Sequence, residues 1–237
     1  MRVGRWVAVV VLLIGGLLLA DVIRVHRPDP DRVVSGGGIT ALGWTGVIDA
    51  QSTAQGRTIN DSRFDQQSDG LHLTIGPAAY YWNPANVAAG TYTLHATFTE
   101  PHQVNNHPHP MGLFIGGSQL GTPAVRLMYC SAYRDGTFLV RAFHGSTVTD
   151  VVPKTRTPAV HEAAPSDPVT QEIAWSVNPA QAQCVINGTA VATLRREQII
   201  GPDRLESIDG VWGIRVSHNM DLIVQNLALS KGNRASN

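Results

Sequence analysis

The sequence predicts an all-β fold, a jelly-roll sandwich of two packed antiparallel sheets, preceded by one N-terminal hydrophobic helix. Charged residues make up only 15% of the 237-residue chain, well below the usual quarter, whereas glycine (23) and proline (14) are plentiful. Apolar and polar residues alternate with a period of two through most of the chain after residue 38. Asn-Gly and Asp-Gly pairs punctuate these segments. The pattern is typical of many short strands joined by tight turns, and it disfavours long helices.

The strand Thr91–Glu100 has the cleanest alternation, with Tyr92, Leu94, Ala96 and Phe98 on its apolar face. Asn187-Gly188 and Asp135-Gly136 predict hairpins with type I′ turns, and Arg195–Ile200 predicts a short helix or a turn. Further predicted strands are Gly70–Ile75, Gly112–Ile115, Val125–Ser131, Thr137–His144, Glu172–Val177, Gln183–Ile186, Thr189–Leu194, Gly210–Val216 and Asp221–Leu229.

The N-terminal segment predicts export. An uncharged apolar run, Trp6–Ala20, follows Arg2 and Arg5, and residues 6–23 are long enough to cross a membrane if the flanking charges reach the headgroups. We expect residues 1–27 to be an uncleaved signal anchor, with the β domain outside the cytoplasm at the cell membrane. The alternative is a signal peptide cleaved after Ala20, which gives a secreted or periplasmic protein. Residues 28–38 are expected to be a linker, 39–231 the β-sandwich domain and 232–237 a tail.

The charge balance argues against nucleic-acid binding. The formal net charge is zero, and beyond residue 27 the chain carries 14 basic and 17 acidic residues. A slightly acidic domain has no basic surface with which to neutralise phosphates.

Three pairs of segments resemble the concanavalin A-like lectin and glucanase group. Gly43-Trp44-Thr45 with Asp69–Leu73 is similar to an early element of that group, and Tyr92–Phe98 with His109–Ile115 to a middle strand pair. Gly213–Val216 with Val224–Leu229 resembles the closing strand pair. The likeness covers roughly residues 43–230 and is greatest to bacterial exported domains of the 3-keto-disaccharide hydrolase (DUF1080) type. It implies a jelly roll with one concave, glycan-facing sheet, but it identifies no catalytic residue in this chain.

A glycan-binding face is therefore expected on one sheet. The polar row Thr93, His95, Thr97 and Thr99 faces away from the apolar side of its strand, and Arg126 and Arg141 are expected to join it from neighbouring strands. Aromatic side chains stack on sugar rings, which makes Tyr80, Trp82 and Tyr129 candidates, with core packing as the alternative. The predicted ligand-binding residues are Tyr80, Trp82, Thr93, His95, Thr97, Arg126, Tyr129 and Arg141.

The histidine-rich segment Pro101–Pro110 is a candidate metal site. Histidines at i and i+2 of an extended segment can face the same side, so His102, His107 and His109 could hold a divalent metal. The favoured interpretation is a loop with solvated histidines and no cofactor.

Catalysis has little support in the sequence. No paired-carboxylate row, nucleophile elbow or phosphate loop is present. A carbohydrate-binding module that recognises a glycan or cell-envelope polymer is the favoured function. The alternatives are a glycoside or keto-sugar hydrolase using His95, His107 and His109, and a structural or assembly domain of the envelope.

Cys130 and Cys184 are the only cysteines. They can form one disulfide or remain two buried thiols, and the second state is expected because a disulfide needs two facing strands in register.

Overall fold

The computed structural model describes residues 29–232, which form two antiparallel sheets packed face to face. The predicted N-terminal helix lies outside the described residues. None of the helices within residues 29–232 is long and apolar enough to span a membrane.

Fifteen strands and two short α-helices are found in this part of the chain. The strands are β1 (Gly38–Ile39), β2 (Thr45–Ile48), β3 (Arg63–Gln67), β4 (Gly70–Ile75), β5 (Ala79–Ala88), β6 (Tyr92–Glu100), β7 (Met111–Ser118), β8 (Arg126–Ala132), β9 (Thr137–His144), β10 (Thr147–Arg156), β11 (Val169–Asn178), β12 (Gln181–Ile186), β13 (Thr189–Arg195), β14 (Gly210–Val216) and β15 (Met220–Lys231). The helices are α1 (Ala50–Ala54) and α2 (Arg196–Ile199), with a 3-10 turn at Ile59–Asp61.

The first sheet has the strand order β1-β3-β4-β15-β6-β11-β12-β13, and the second has the order β10-β9-β8-β7-β14-β5-β2. We call them the eight-stranded and the seven-stranded sheet. Runs of consecutive strands, β7 to β10 and β11 to β13, each stay within one sheet, whereas other neighbours are distant in sequence, such as β4 with β15 and β7 with β14. Such long-range pairings are expected for a jelly roll.

The main core lies between the sheets and follows the period-two pattern of the sequence. Leu94, Ala96 and Phe98 of β6 face Met111, Leu113 and Ile115 of β7 across the interior, and all are fully buried. Trp175 joins the two sheets directly, because its indole Nε1 donates a hydrogen bond to the Leu113 carbonyl oxygen at 2.9 Å. The buried indole N–H of Trp175 therefore has a hydrogen-bond acceptor, as is usual for buried donors.

A disulfide also links the sheets. Cys130 of β8 and Cys184 of β12 are bonded across the core, with their Cα atoms 5.9 Å apart. The expectation of two unpaired thiols is therefore wrong. The sequence places each cysteine on an inward-facing position of its strand, but it does not show that the two strands lie opposite each other.

Most predicted strands are confirmed, and the errors have identifiable causes. The predictions at Gly70–Ile75 and Thr137–His144 coincide with β4 and β9. Strands β1, β2, β3, β5 and β10 were not predicted. Strands β5 and β10 each contain a proline, which usually argues against a strand interior. The β10 strand lies at the edge of its sheet, where proline is tolerated.

The two predicted hairpin turns have different outcomes. Asn187 and Gly188 both have positive φ (48° and 79°), as a type I′ turn requires. At the other turn only Gly136 has positive φ (79°), so Asp135-Gly136 makes a wider hairpin turn and not type I′.

The predicted linker is packed against the domain from residue 29 onward. Arg32 donates hydrogen bonds to the Ile75 and Met220 carbonyl oxygens and forms an ion pair with Asp221. Gly38 and Ile39 then pair with β3 as strand β1. The Pro- and Gly-rich composition of this segment is typical of a linker. It does not reveal these contacts, because they are made with residues that are distant in the sequence.

Candidate functional site

The seven-stranded sheet is apolar on both of its faces. Its inner face belongs to the main core, and its outer face carries a second buried cluster that contains Tyr80, Trp82, Phe114, Tyr129 and Phe143. We call this outer surface, together with Arg141 and Arg215, the aromatic face. An apolar outer face is unusual for an antiparallel sheet, which commonly turns polar residues to water.

Strand register assembles the aromatic face in rows across the sheet. One row runs from Trp82 of β5 through Gly213, Phe114, Tyr129 and Arg141 to Asp150 of β10. The adjacent row contains Tyr80, Arg215, Gly112, Ser131 and Leu139. Three of the residues predicted from sequence, Trp82, Tyr129 and Arg141, therefore lie in a single row.

Two positions of these rows are glycines, which place no side chain on the sheet. A Cβ on Gly112 would lie 1.9 Å from the Cys130 carbonyl oxygen, and one on Gly213 would lie 2.1 Å from the Tyr81 carbonyl oxygen. Larger residues therefore cannot occupy these positions without moving the backbone.

The aromatic rings pack against one another mainly edge to face. Tyr129 and Phe143 have ring centroids 5.6 Å apart at 89°, whereas Tyr80 and Trp82 are stacked at 5.5 Å. The Gly121 amide donates a hydrogen bond to the Tyr80 hydroxyl oxygen. Burial raises the pKa of Tyr80, so its hydroxyl stays protonated over the ordinary pH range.

Arg215 lies at the centre of the face and is only 8% exposed. Its two terminal nitrogens donate hydrogen bonds of 2.6 Å to the two carboxylate oxygens of Asp49. The guanidinium carbon also lies 5.1 Å from the ring centroid of Phe143 and 5.5 Å from that of Tyr129. Burial lowers the pKa of Arg215, but Asp49 outweighs it and the net shift is upward, so the charge is retained.

Arg141 is the accessible cation of the face. Its side chain is 36% exposed and forms an ion pair with Asp150, which is 50% exposed. Burial lowers the pKa of Arg141, and the hydrogen bond with Asp150 together with Tyr129 raises it by more. Arg141 can therefore meet a ligand without the loss of a buried ion pair.

Three recesses open next to one another on the aromatic face. The largest, about 510 Å³, lies between Tyr80, Phe143, Pro123 and helix α1. The second, about 280 Å³, is lined by Asp49, Tyr129, Arg141 and Arg215. The third, about 230 Å³, extends from Tyr129 and Arg141 to His109. Shared lining residues join the three into one groove of a size typical for small-ligand sites.

A fourth recess of about 500 Å³ lies elsewhere, around Trp44, Asp69, Asn86, Trp212 and Gln225. Its lining is mainly polar, and it contains no arginine. It offers fewer converging apolar and charged groups than the aromatic face.

The predicted polar row lies on the other sheet. Thr93, His95 and Thr97 occupy the outer face of β6 in the eight-stranded sheet, where they are half-buried beside β11 and β15. They do not share a surface with Arg141 or Tyr129, because β6 and β9 belong to different sheets. We call the row Thr93, His95, Thr97 and Thr99 the threonine face.

Arg126 lies on neither face. It faces the end of the sandwich, where it donates a hydrogen bond to the Arg204 carbonyl oxygen at 2.7 Å and pairs with Glu206 at 3.1 Å. The expected single surface therefore resolves into three places. Of the eight predicted residues, Tyr80, Trp82, Tyr129 and Arg141 are together on the aromatic face.

Two of the three predicted metal ligands lie in different surroundings, whereas His107 is close enough to His109 to lower its pKa. His102 is exposed and lies 3.9 Å from Asp221, whereas His109 is buried against Asp29, with its Nε2 atom 2.8 Å from Oδ2. Burial and the neighbouring His218 lower the pKa of His109, although Asp29 raises it. His95 lies on the threonine face and His109 at the start of β7, so the hydrolase site that combined them is not assembled.

Arg215 and Asp49 were missed by the sequence analysis. A usable signal was present, because β7, β8 and β9 have apolar residues at both parities of the alternation. Such runs predict strands that are covered on both faces. An arginine within an apolar strand, as in Gly213–Val216, then predicts a buried cation on one of those faces.

Solved structures with the same fold come from several kinds of protein. A carbohydrate-binding module, CBM66, from Bacillus subtilis superposes with a TM-score of 0.54 at 10% identity, covering 82% of this chain and 99% of that one. A Bacillus subtilis protein of unknown function with a galectin-like fold gives a TM-score of 0.57 at 14% identity, with 81% and 90% covered. The endo-β-1,3-glucanase from Pyrococcus furiosus gives 0.50 at 11% identity, with 84% and 92% covered.

The chain has the lectin-like jelly-roll fold. At these identities the likeness concerns the fold alone. No protein-family model matches the sequence, and no curated protein matches it.

Proposed function

We propose that the protein is a carbohydrate-binding module that holds an oligosaccharide in the groove on the aromatic face. The observation that carries the proposal is the combination of aromatic residues with an accessible arginine, Arg141, and a buried one, Arg215, along one continuous groove. Sugars are recognised by apolar contact with aromatic side chains together with a few oriented polar groups. The likeness to CBM66 supports this choice of ligand class.

Because the groove is recessed, we expect it to enclose part of an oligosaccharide chain. A sugar ring that stacks on a fully exposed aromatic side chain is less compatible with this shape. Tyr80 and Tyr129 line the groove and are each less than 10% exposed, so they form part of its floor and offer only part of each ring. Arg141 and Asp150 stand at its rim, where a guanidinium and a carboxylate can pair with neighbouring sugar hydroxyls.

Binding is favoured over hydrolysis. Asp49 and Asp150 line the same recess, which gives the pair of carboxylates that glycoside hydrolysis needs. Each of them is engaged by an arginine, however, whereas a general acid must carry a proton to the leaving oxygen. The keto-sugar hydrolase alternative requires His95 to lie beside His109, and these two residues are on different parts of the fold. The alternative of a structural domain of the envelope does not explain a groove lined by aromatic residues and arginines.

We also propose that the domain is exported and works at the cell envelope, anchored through residues 6–23 or released after cleavage. The Cys130–Cys184 bond supports this location, because stable disulfides form in oxidising compartments and are rare in the cytosol. Membrane fractionation of cells that express the full chain tests the anchor. Recovery of the whole protein in the cytosolic fraction with both thiols reduced would contradict the proposed location.

Glycan binding is tested with the full-length chain on an array that includes β-1,3-glucan oligosaccharides, plant and microbial polysaccharides and peptidoglycan fragments. For the best glycan, we expect Arg141→Ala to weaken binding at least 10-fold, since a hydrogen bond from a charged group to a ligand commonly contributes about 1.5 kcal/mol or more. Arg156→Ala is the matched control, because Arg156 forms a comparable exposed ion pair, with Glu162, away from the groove. Absence of binding across the array, or equal binding by both variants, would refute the proposal.

A further inference from the structure

A compact group of three metal-ligating side chains lies beside the groove. Asp29, His109 and His218 each direct one donor atom into a space in which all three atoms lie within 4.8 Å of one another. Nε2 of His109 is 2.8 Å, and Nε2 of His218 is 3.9 Å, from Oδ2 of Asp29. These distances bracket the separation of about 3.3 Å between ligand atoms around a tetrahedral zinc ion with bonds near 2.0–2.1 Å.

The surrounding groups orient each donor atom towards this space. Asn105 and Asn219 donate hydrogen bonds to Oδ1 of Asp29, so Oδ2 is the oxygen that faces the two imidazoles. Asp31 lies 2.9 Å from Nδ1 of His218, which leaves Nε2 of that ring pointing towards Asp29. A carboxylate behind a histidine is the arrangement that fixes the tautomer and orientation of metal-ligating imidazoles.

The charge of the cluster also calls for a cation. The carboxylates of Asp29 and Asp31 are only 14% and 11% exposed. Within residues 29–232, the side-chain hydrogen-bond partners of these two carboxylates are amides, imidazoles and the Ser52 hydroxyl. The Arg57 guanidinium lies nearby, but it donates to the backbone carbonyl oxygen of Asp31 and not to the carboxylate. Buried carboxylates are ordinarily paired with a cation or bound to a metal. A divalent ion would balance both.

We propose that Asp29, His109 and His218 bind Zn²⁺, through Oδ2 of Asp29 and Nε2 of both histidines. Imidazole nitrogen combined with one carboxylate oxygen suits zinc better than Ca²⁺ or Mg²⁺, which prefer oxygen ligands alone. The ion joins the segment at Asp29 to the loop before β7 and to the turn between β14 and β15. Three parts of the chain that are distant in sequence are thereby fixed at one end of the groove.

The zinc site goes beyond the proposed glycan binding and does not depend on it. His109 lines the recess that also contains Tyr129 and Arg141, so the ion would lie next to the groove. Because the test uses zinc without any sugar, its failure is distinguishable from failure of glycan binding.

The experiment uses the full-length chain in mild detergent, purified without a polyhistidine tag and stripped of metal with a chelator. Titration with Zn²⁺ by calorimetry should give one equivalent bound. Cobalt substitution should give the visible absorption of a tetrahedral nitrogen–oxygen site. His109→Ala and Asp29→Asn should each weaken zinc binding at least 100-fold. Asp31→Ala, which removes no proposed ligand but takes away the carboxylate behind His218, should weaken it about 10–100-fold.

His72→Ala is the matched control. His72 pairs with Asp69 at 2.8 Å, so it is a histidine–carboxylate pair with the same local chemistry outside the cluster. We expect it to bind zinc as the wild type does, and circular dichroism verifies that each variant is folded. Binding of less than one equivalent by the wild type, or undiminished binding by the folded Asp29→Asn variant, would overturn the site.

Discussion

The outer faces of the two sheets differ in their residue types and in the burial of their side chains. The threonine face of the eight-stranded sheet carries half-buried Thr93, His95 and Thr97, and its strand alternates regularly between core and surface. The seven-stranded sheet is buried at all but one position of β8 and at five of the eight positions of β9, and its aromatic face contains an arginine that is 8% exposed. A regular alternation marks a face that is open to solvent, whereas interruption of the alternation marks a face that is apolar on its outer side as well, and this is the face for which we propose a ligand.

The largest expected contrast concerns the two ion pairs of the groove. Asp49→Ala leaves the buried Arg215 without its partner and should lower the free energy of unfolding by roughly 3–5 kcal/mol. Asp150→Ala removes the partner of the more exposed Arg141 and should cost less than about 1 kcal/mol. Urea denaturation of both variants measures their free energies of unfolding. An equal loss in the two variants would contradict the expectation that the more buried ion pair contributes more to stability.

Packing should distinguish the two faces next. Phe143→Ala removes a ring that contacts Tyr80 and Tyr129 and should cost about 3 kcal/mol. Thr97→Ala on the threonine face should stay within about 0.5 kcal/mol. If the threonine substitution proved as costly as the phenylalanine one, the threonine face would be covered and not solvated.

A second buried ion pair, Glu100–Arg134, lies between the sheets and provides a contrast in pH dependence. Burial raises the pKa of Glu100 to about 7, and Arg134 lowers it by less. The folded state then holds this proton more tightly than the unfolded state, so stability falls as pH rises from about 4.5 to about 7 and is level above that. The decrease should be at most about 3 kcal/mol.

Glu100→Gln removes this titration and is the reference. The difference in unfolding free energy between wild type and variant, measured from pH 4 to 8, should follow the predicted decrease. Parallel pH profiles would show that the carboxyl keeps its ordinary pKa despite its burial.

Sequence reasoning predicted the strands well because alternation is a local property. The β4 and β9 boundaries, the Asn187-Gly188 turn and the short helix at α2 follow from residues that are near each other in the chain. Tyr80, Trp82, Tyr129 and Arg141 were predicted as ligand-binding residues from their residue types, and that role stays a prediction. Their grouping was not predicted, because it depends on which strands are neighbours.

The errors concern the same non-local information. Thr93, His95 and Thr97 were joined to Arg141 although β6 and β9 lie in different sheets. The Cys130–Cys184 bond and the contact of Asp29 with His218, which is 189 residues away, likewise depend on the packing of distant segments. The local pattern shows on which face of its strand a side chain lies, but it does not show which residues of other strands that side chain contacts.

The most direct test of the account is to locate the bound sugar by hydrogen exchange of the full-length chain, with and without the best glycan from the array. We predict protection of backbone amides in β8, β9 and β14, which form the floor of the groove, and no change in β6 and β11 beneath the threonine face. Protection confined to β6 and β11 would contradict the account, because it would place the binding surface on the opposite sheet.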